Sequence, residues 1–550
     1  MRADGLAGGE GGADRLGELI PVALRGMAAG IAERGGPVPA GGPAAVAAAL
    51  VAERGELDQA TAAGGPVPAG GAGRQAATET AAASRGALDP AATVPGAGSV
   101  AAEASRLRSA PGAAPHAEPA AAHRLPSALP RTGVGAEAAL EELSRLLAAG
   151  SADPADPACA AHLHCPPLAV SVAADVVASA LNPSMDSWDQ APVASELERE
   201  FTAGIARLCY PRAETPDAVV TTGGTESNLL GLLLARERNP RAQPVCGANA
   251  HHSVARAAWL LGLPAPVVVP CEGDRMLPGA LAGVLTPDSV VVATAGTTNT
   301  GTLDPLPEIA RICRRHQARL HVDAAYGGMA LCSESLKTKL AGLELADSVA
   351  LDLHKFGWQP VAAGLFAARE AADLAALTVR AEYLNADDDT EAGLPDLLGR
   401  SIRTSRRPDA FRMAVTVHAL GTDGLGALVE RCCTTATEVA RLVDDHPGLR
   451  LWGTPELSTV VLRPSVADEL GGDAGDELVA RVRRALLEAG TAVVGRAALP
   501  TGPGGENRLW LKLTLLHPGT TGGDYRPLLD RIAATAGAEL VAGRESPVAS

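Results

Sequence analysis

The sequence predicts an α/β protein with a mainly parallel sheet, followed by a smaller α+β region, and three observations carry that reading. Between residues 213 and 410, runs such as SVVVATAG and DSVALDL are short, β-branched and continuously apolar, as strands buried on both faces are. Segments with helical spacing alternate with them, the pattern of crossover connections above a parallel sheet. Beyond residue 410 this regular alternation gives way to a long helix and then to strands and helices in mixed order.

Residues 1–135 are rich in Ala, Gly and Pro, poor in aromatics and internally repetitive, with GGPVPAGG at 35–42 and again at 64–71. Such a segment has little bulky apolar surface to offset its ordering entropy, so a largely disordered extension is expected, with short helices where Ala and Leu cluster. An extension without activity is the simpler reading; a docking arm is the other. Residues 136–212 form a helical and loop segment, opening on the helical spacing of GAEAALEELSRLLAAG and passing through the loop SADPADPACAAHLHCPPL.

The large domain, 213–410, then reads in order. A short strand runs into the glycines of TTGGTESNLLGLLLARER, which begin a helix. Strand QPVCGA, helix SVARAAWLLGL, strand APVVVP, helix PGALAGVL, strand SVVVATAG and helix LPEIARICRRHQ follow, then strands RLHVDAA, DSVALDL and PVAAGLFAA. In the C-terminal domain, 411–550, the helix from DAFRMAV is interrupted near Gly421–Gly426. Strands LRLWG and STVVLRP, helix DELVARVRRALLEAG, strands TAVVGRA and RLWLKLTLL and a last helix at DYRPLLDRIAATAG complete the chain.

Composition narrows the function classes. A chain of 550 residues with a net charge of −16 has room for several domains and offers no basic footprint for nucleic acid or an anionic membrane. Its nine cysteines are scattered, without a C-x-x-C pair or metal-like Cys/His spacing, which points to a reducing cytoplasm and to no metal site. No apolar run approaches a membrane span, and Arg25 breaks the apolar stretch near the N-terminus, so a soluble protein is expected. Only four residues are lysine, Lys337, Lys339, Lys355 and Lys512, so positive charge is otherwise supplied by arginine. An amine can lose its proton and attack a carbonyl, which a guanidinium cannot do.

Ligands of open α/β sheets sit beyond the carboxyl ends of the strands, and four loops there carry chemistry. In TTGGTESN, 221–228, N–H groups at a helix start beside Thr225 and Ser227 suit an anion such as phosphate; a plain capped glycine turn is the alternative. In HVDAAYGG, 321–328, Asp323 ends an apolar strand and could partner a protonated ring nitrogen or merely cap a turn. The pair in ANAHHSVARA, His251 and His252, marks a strand-to-helix junction as a cap or a stacking imidazole. In DLHKFG, Lys355 follows a buried strand, where burial lowers an amine's pKa as a Schiff-base lysine requires; the alternative is a stem on the sheet with its ammonium in water. Together these elements describe a pyridoxal-phosphate site.

The motifs NPSMDSWDQAP with SELERE, TTGGTESNLLGLLLAR, AHHSVARAAWLLGL, HVDAAYGG, DLHKFG, and AEYLN followed by TSRRPDAFRM also resemble those of the group II pyridoxal-phosphate amino-acid decarboxylases, over roughly residues 136–540. HLHCPPL with NPSMDSWDQAP looks closest to the branch of L-2,4-diaminobutyrate and lysine decarboxylases, associated with siderophore and diamine biosynthesis. The resemblance implies a type I, aspartate-aminotransferase-like fold with a mainly parallel seven-stranded sheet, and a homodimer with active sites at its interface. It implies that Lys355 carries the aldehyde of pyridoxal 5'-phosphate, that Asp323 holds the pyridinium nitrogen with Ala325 under the ring, and that His251 stacks on the other face. It further places Gly224 and Thr225 at the phosphate, Thr297 and His354 close to the cofactor, and Tyr383 of AEYLN on a mobile loop as the proton donor to carbon. Arg406 of TSRRPDA is the candidate for the substrate carboxylate. The expected reaction is loss of CO2 from an L-amino acid, with a basic diamino acid as the substrate that ADDDTE, 386–391, would also suit. A glutamate or aromatic amino-acid decarboxylase, an aminotransferase on the same fold, and a non-catalytic cofactor-binding protein are the alternatives.

Overall fold

The computed structural model describes residues 12–43, 45–46, 129–378, 388, 391–502 and 504–545. Contacts divide the chain into a compact unit of residues 1–46 and 136–550 and a second unit of residues 47–135, of which only 129–135 are described. The elements below all belong to the first unit. None of its described helices is long and apolar enough to cross a membrane.

A seven-stranded sheet positions the site. Its strands are β1 (Asp217–Thr221), β2 (Gln243–Gly247), β3 (Val267–Val269), β4 (Ser289–Thr294), β5 (Arg319–Ala324), β6 (Ser348–Asp352) and β7 (Gly364–Ala368), in spatial order β1-β7-β6-β5-β4-β2-β3. Only β7 runs against its neighbours, pairing antiparallel with both β1 and β6, while β6, β5, β4, β2 and β3 are mutually parallel. The continuously apolar strands are buried along their whole length in β4, β6 and β7, as a sheet covered on both faces requires. Register brings Thr294 beside Asp323 and Asp352 beside Gly364, which in turn pairs with Thr221, so the carboxyl ends of β1, β4, β5 and β6 meet the amino end of β7 along one edge.

The expected alternation is present. A second sheet follows, with β8 (Leu449–Leu451), β9 (Thr459–Pro464), β10 (Val493–Pro500) and β11 (Asn507–Thr514) in the order β10-β11-β9-β8, and the two-residue strand Cys159–Ala160 adds parallel to β10. The helical stretch Asp409–Asp444 is broken at Gly421, whose φ of 68° lies outside the helical region, where the sequence anticipates an interruption.

The N-terminal prefix holds more structure than its composition suggests. Helix α1 (Gly12–Arg34) runs for 23 residues against α2 (Ala136–Ala149). A Cβ on Gly26 or Gly30 would lie 2.1 Å from a carbonyl oxygen of α2, so this four-residue glycine spacing lets the two backbones touch. Arg34 closes α1 by donating to the carbonyls of Gly36, Ala148 and Ser151 and to Asp153. The first copy of the repeat packs as well: Val38 is buried and Gly41 N–H donates to Glu488 O. The disorder expected of the prefix beyond Val46 falls outside the described residues, apart from 129–135.

Candidate active site

The carboxyl ends of β1, β4, β5 and β6 and the loop at His162–Leu163 enclose a cavity of about 410 Å³. Beyond β1 the chain turns at Gly223, where φ is 146° and a Cβ would stand 2.8 Å from His354 Cε1; a Cβ on Gly224 would stand 2.8 Å from that of Ala325. No other residue type fits this passage. Helix α3 (Gly224–Arg238) starts there, so Gly224 and Thr225 line the cavity at the positive end of a helix. Glu226 folds back, its Oε2 accepting from Thr222 N–H and Oγ1 at 2.7 Å each.

Strand β5 delivers Asp323. Its Oδ1 accepts from Ala325 N–H at 3.1 Å and its Oδ2 from Asn228 Nδ2 at 2.7 Å, while the residue also lines the cavity. Asn228 also reaches Ser253 Oγ at 2.8 Å and His321 Nε2 at 2.9 Å, and His321 Nδ1 lies 2.9 Å from Ser348 Oγ. Burial pushes the His321 pKa down to about 4, so its ring is neutral. The helix passes this ring at Gly231, where a Cβ would come within 2.8 Å of His321 Nδ1.

Strand β6 ends on Asp352, and the next turn presents His354 and Lys355. Lys355 Nζ lies 2.9 Å from Asp352 Oδ2 and His354 Nε2 lies 3.4 Å from the same oxygen, with Asp352 only 2 % exposed. Asp352 Oδ1 is buried and has no hydrogen-bond partner among the described residues, beneath the glycine turn. His251 lines the cavity and His252 does not. His251 Nδ1 is 2.8 Å from Ser253 Oγ, and burial, then the neighbouring His252, lower its pKa.

The structure brings Gly224, Thr225, His251, Asp323, Ala325, His354 and Lys355 together around one cavity. It places two residues elsewhere. Thr297, expected near the cofactor, turns inward and is fully buried, with Oγ1 2.5 Å from Asp274 Oδ2 and 2.8 Å from Thr300 Oγ1; Gly296 and Thr298 line the cavity instead. Arg406, the candidate for the substrate carboxylate, is buried outside the cavity lining and pairs with Glu198 at 2.6 Å, because a buried guanidinium takes up a buried carboxylate. Tyr383 lies outside the described residues. Sequence reasoning missed Asp352, Thr294, Tyr326 and the pair His162 and Leu163, which line the cavity with left-handed φ values of 64° and 55°.

The profile of the "Pyridoxal-dependent decarboxylase conserved domain" matches residues 119–464. An L-2,4-diaminobutyrate decarboxylase of Rhizobium meliloti (strain 1021) is 38% identical over 426 residues, covering 74% of this chain and 83% of that one. A second, of Acinetobacter baumannii, is 32% identical over 449 residues, covering 74% and 85%. Among solved structures, the glutamate decarboxylase domain of the diaminobutyrate-pyruvate transaminase and L-2,4-diaminobutyrate decarboxylase of Vibrio parahaemolyticus superposes with a TM-score of 0.71 at 24% identity, covering 97% of this chain and 98% of that one, which shows the shared type I fold. With family and fold in agreement, this chain belongs to the pyridoxal-dependent decarboxylases, a carboxy-lyase that works with pyridoxal phosphate.

Proposed function

We propose that this enzyme decarboxylates a basic diamino acid, with L-2,4-diaminobutyrate the first candidate and lysine the second. The observation that carries the reading is Lys355, one of four lysines in the chain, at the carboxyl end of β6 in a cavity that also holds Asp323 and His251. The two diaminobutyrate decarboxylases at 38% and 32% identity support the substrate class. The acidic run at 386–391 supports it too, since it would steer a cationic side chain toward the site.

The residues present suit pyridoxal phosphate. An amine, an acidic strand end and a glycine turn at a helix start surround a cavity of about 410 Å³, and a Cβ at Gly224 would close the slot against Ala325. When bound, the cofactor supplies an electron sink for the pair left by the departing carboxylate. Lys355 would hold it through Nζ, and Asp323 would keep its ring nitrogen protonated. Gly224 and Thr225 would receive the phosphate, His354 would stand close by, Ala325 would support one face of the ring and His251 would cover the other. Tyr383 would deliver a proton from its hydroxyl to the substrate's α-carbon, and closure of its loop would exclude water.

The same reading makes the product a diamine of the kind used in siderophore assembly and the enzyme a homodimer with sites at the interface. All nine cysteines are free thiols, which supports a cytoplasmic location. Purified enzyme assayed with diaminobutyrate, ornithine, lysine, glutamate and aromatic amino acids tests the substrate: release of CO2 fastest from a diamino acid is expected. Faster turnover of glutamate or an aromatic amino acid would refute it, and keto-acid formation in place of CO2 would mark an aminotransferase. Lys355→Arg should keep the charge and abolish turnover; an active arginine variant would overturn the assignment of Lys355.

A further inference from the structure

We propose that Asn228 and Ser253 are positioning residues that fix the ring proton of His251 on Nε2, in register with the carboxylate of Asp323. This rests on the reading that His251 and Asp323 hold the cofactor, and it adds which nitrogen of His251 is the donor.

The polarity follows from what each group can donate. The Asp323 carboxylate accepts only, so the side of Asn228 that faces its Oδ2 at 2.7 Å is the amide NH2. That NH2 has two hydrogens, and the second points at Ser253 Oγ, 2.8 Å away. Asn228 Oδ1 is therefore left toward His321 Nε2 at 2.9 Å, which makes Nε2 the protonated nitrogen of His321 and Nδ1 the acceptor of the Ser348 hydroxyl at 2.9 Å. Ser253, whose oxygen receives the amide, has its own hydrogen left over. Its neighbour at 2.8 Å is His251 Nδ1, and the Ser253 backbone N–H approaches the same nitrogen at 3.4 Å. Two donors aimed at Nδ1 make it an acceptor, and a neutral imidazole then carries its one proton on Nε2.

The arrangement is built to hold that state. Asn228 and Ser253 are each 1 % exposed, as is His321, so no water competes for the hydrogens that set the direction. Burial and the adjacent His252 lower the pKa of His251 and so favour the neutral ring, in which the choice of tautomer arises. One asparagine thus ties Asp323, the partner of the ring nitrogen, to His251, the group above the ring. His251 acts on the cavity as an N–H donor rather than as a base.

The test is a long-range 1H–15N correlation spectrum of the holoenzyme labelled with 15N-histidine, which holds twelve histidines, with the His251 signals assigned by their loss in His251→Gln. Wild type should show His251 protonated at Nε2 alone. Ser253→Ala and Asn228→Leu should show both tautomers, with kcat lower by about tenfold, the rate equivalent of one lost hydrogen bond. Ser253→Thr, which keeps the hydroxyl, should restore the single tautomer and the rate. A wild-type ring protonated at Nδ1, or an unchanged single tautomer in Ser253→Ala, would overturn the proposal, and the wild-type spectrum decides even where Asn228→Leu does not fold. Borohydride labelling with the cofactor separates the two levels: absence of label from Lys355 would refute the functional reading, whatever the tautomer of His251.

Discussion

Two buried aspartates of the large sheet region are each held by an asparagine, and they differ in what faces their remaining lone pairs. Asp304 accepts from Asn249 Nδ2 and Met276 N–H on Oδ1 and from Thr294 N–H on Oδ2, each at 2.8 Å, and it lies outside the cavity lining. Asp323 accepts from Asn228 and Ala325 N–H and lines the cavity. Burial pushes the pKa of Asp304 up, and that of its neighbour Asp274, which binds Thr297 and Thr300. A carboxylate with three protein donors stabilises the turn it closes, whereas one with two and an open side is placed to bind. The chemistry of the residue is identical in both places; the number of donors the fold supplies separates a closed carboxylate from one open to the cavity.

The sharpest way to break this comparison is to remove each carboxylate. Asp323→Ala should lower kcat/KM by roughly a thousandfold, about 4 kcal/mol of transition-state stabilisation, while stranding only two donors and so costing less stability, about 2 kcal/mol. Asp304→Ala strands three donors at once and should cost about 3 kcal/mol of stability in urea unfolding, while the folded fraction keeps its turnover. An Asp304 variant that loses activity at full stability would erase the distinction.

The network behind Asp323 gives a second test through pH. Burial holds His321 near a pKa of about 4, whereas in the unfolded chain it takes its proton near the ordinary 6.5. Between those values the unfolded state binds more protons, so stability rises with pH across the window and is lost as pH falls through it, by up to roughly 3 kcal/mol. His321→Phe, packed beside Phe366 with its ring centre 6.0 Å from that of the present imidazole, should flatten this rise. Denaturant unfolding at about pH 4.5 and about pH 7 measures it; an unchanged slope would assign the acid lability to other groups.

These two aspartates also explain what could be read in advance. Lys355, Asp323 and Gly224 were legible because each stands where an apolar run stops and small or polar residues begin, and in an α/β sheet that point is the crevice. His251 was legible as one of two, and only the fold separates it from His252. Asn228, Ser253 and His321 lie inside quoted motifs, yet their roles depend on a helix and a strand meeting 93 residues apart in sequence. Spacing along one element carries no trace of such a meeting. Asp352 stands three residues before Lys355, and only the turn between them brings its carboxylate to the amine. Thr297 fails in the opposite sense: a hydroxyl in a site-adjacent loop, beside Thr298, it is turned to the inner side by a tight turn in which Gly301 N–H donates to its carbonyl. The helix α1 was hidden by composition, since glycines that weaken a lone helix become contact points once α2 lies against them.

The threonines supply the smallest effect and the finest form of the comparison. Thr225 lines the cavity at the start of α3, whereas Thr297 spends its hydroxyl on Asp274 at 2.5 Å. Removing the hydroxyl as Thr225→Val should weaken pyridoxal-phosphate binding by about tenfold, near 1 kcal/mol, and leave unfolding unchanged. Thr297→Val should do the reverse: Asp274 loses one of two hydroxyl donors while Lys512, whose ammonium donates to Thr298 O at 2.7 Å, remains nearby, so stability should fall by about 1 kcal/mol with cofactor affinity retained. Cofactor titration by absorbance and urea unfolding of the same two variants give the four numbers. If Thr297→Val weakens cofactor binding as much as Thr225→Val does, the inner cluster belongs to the site, and the division between closed and open carboxylates fails at its nearest neighbours.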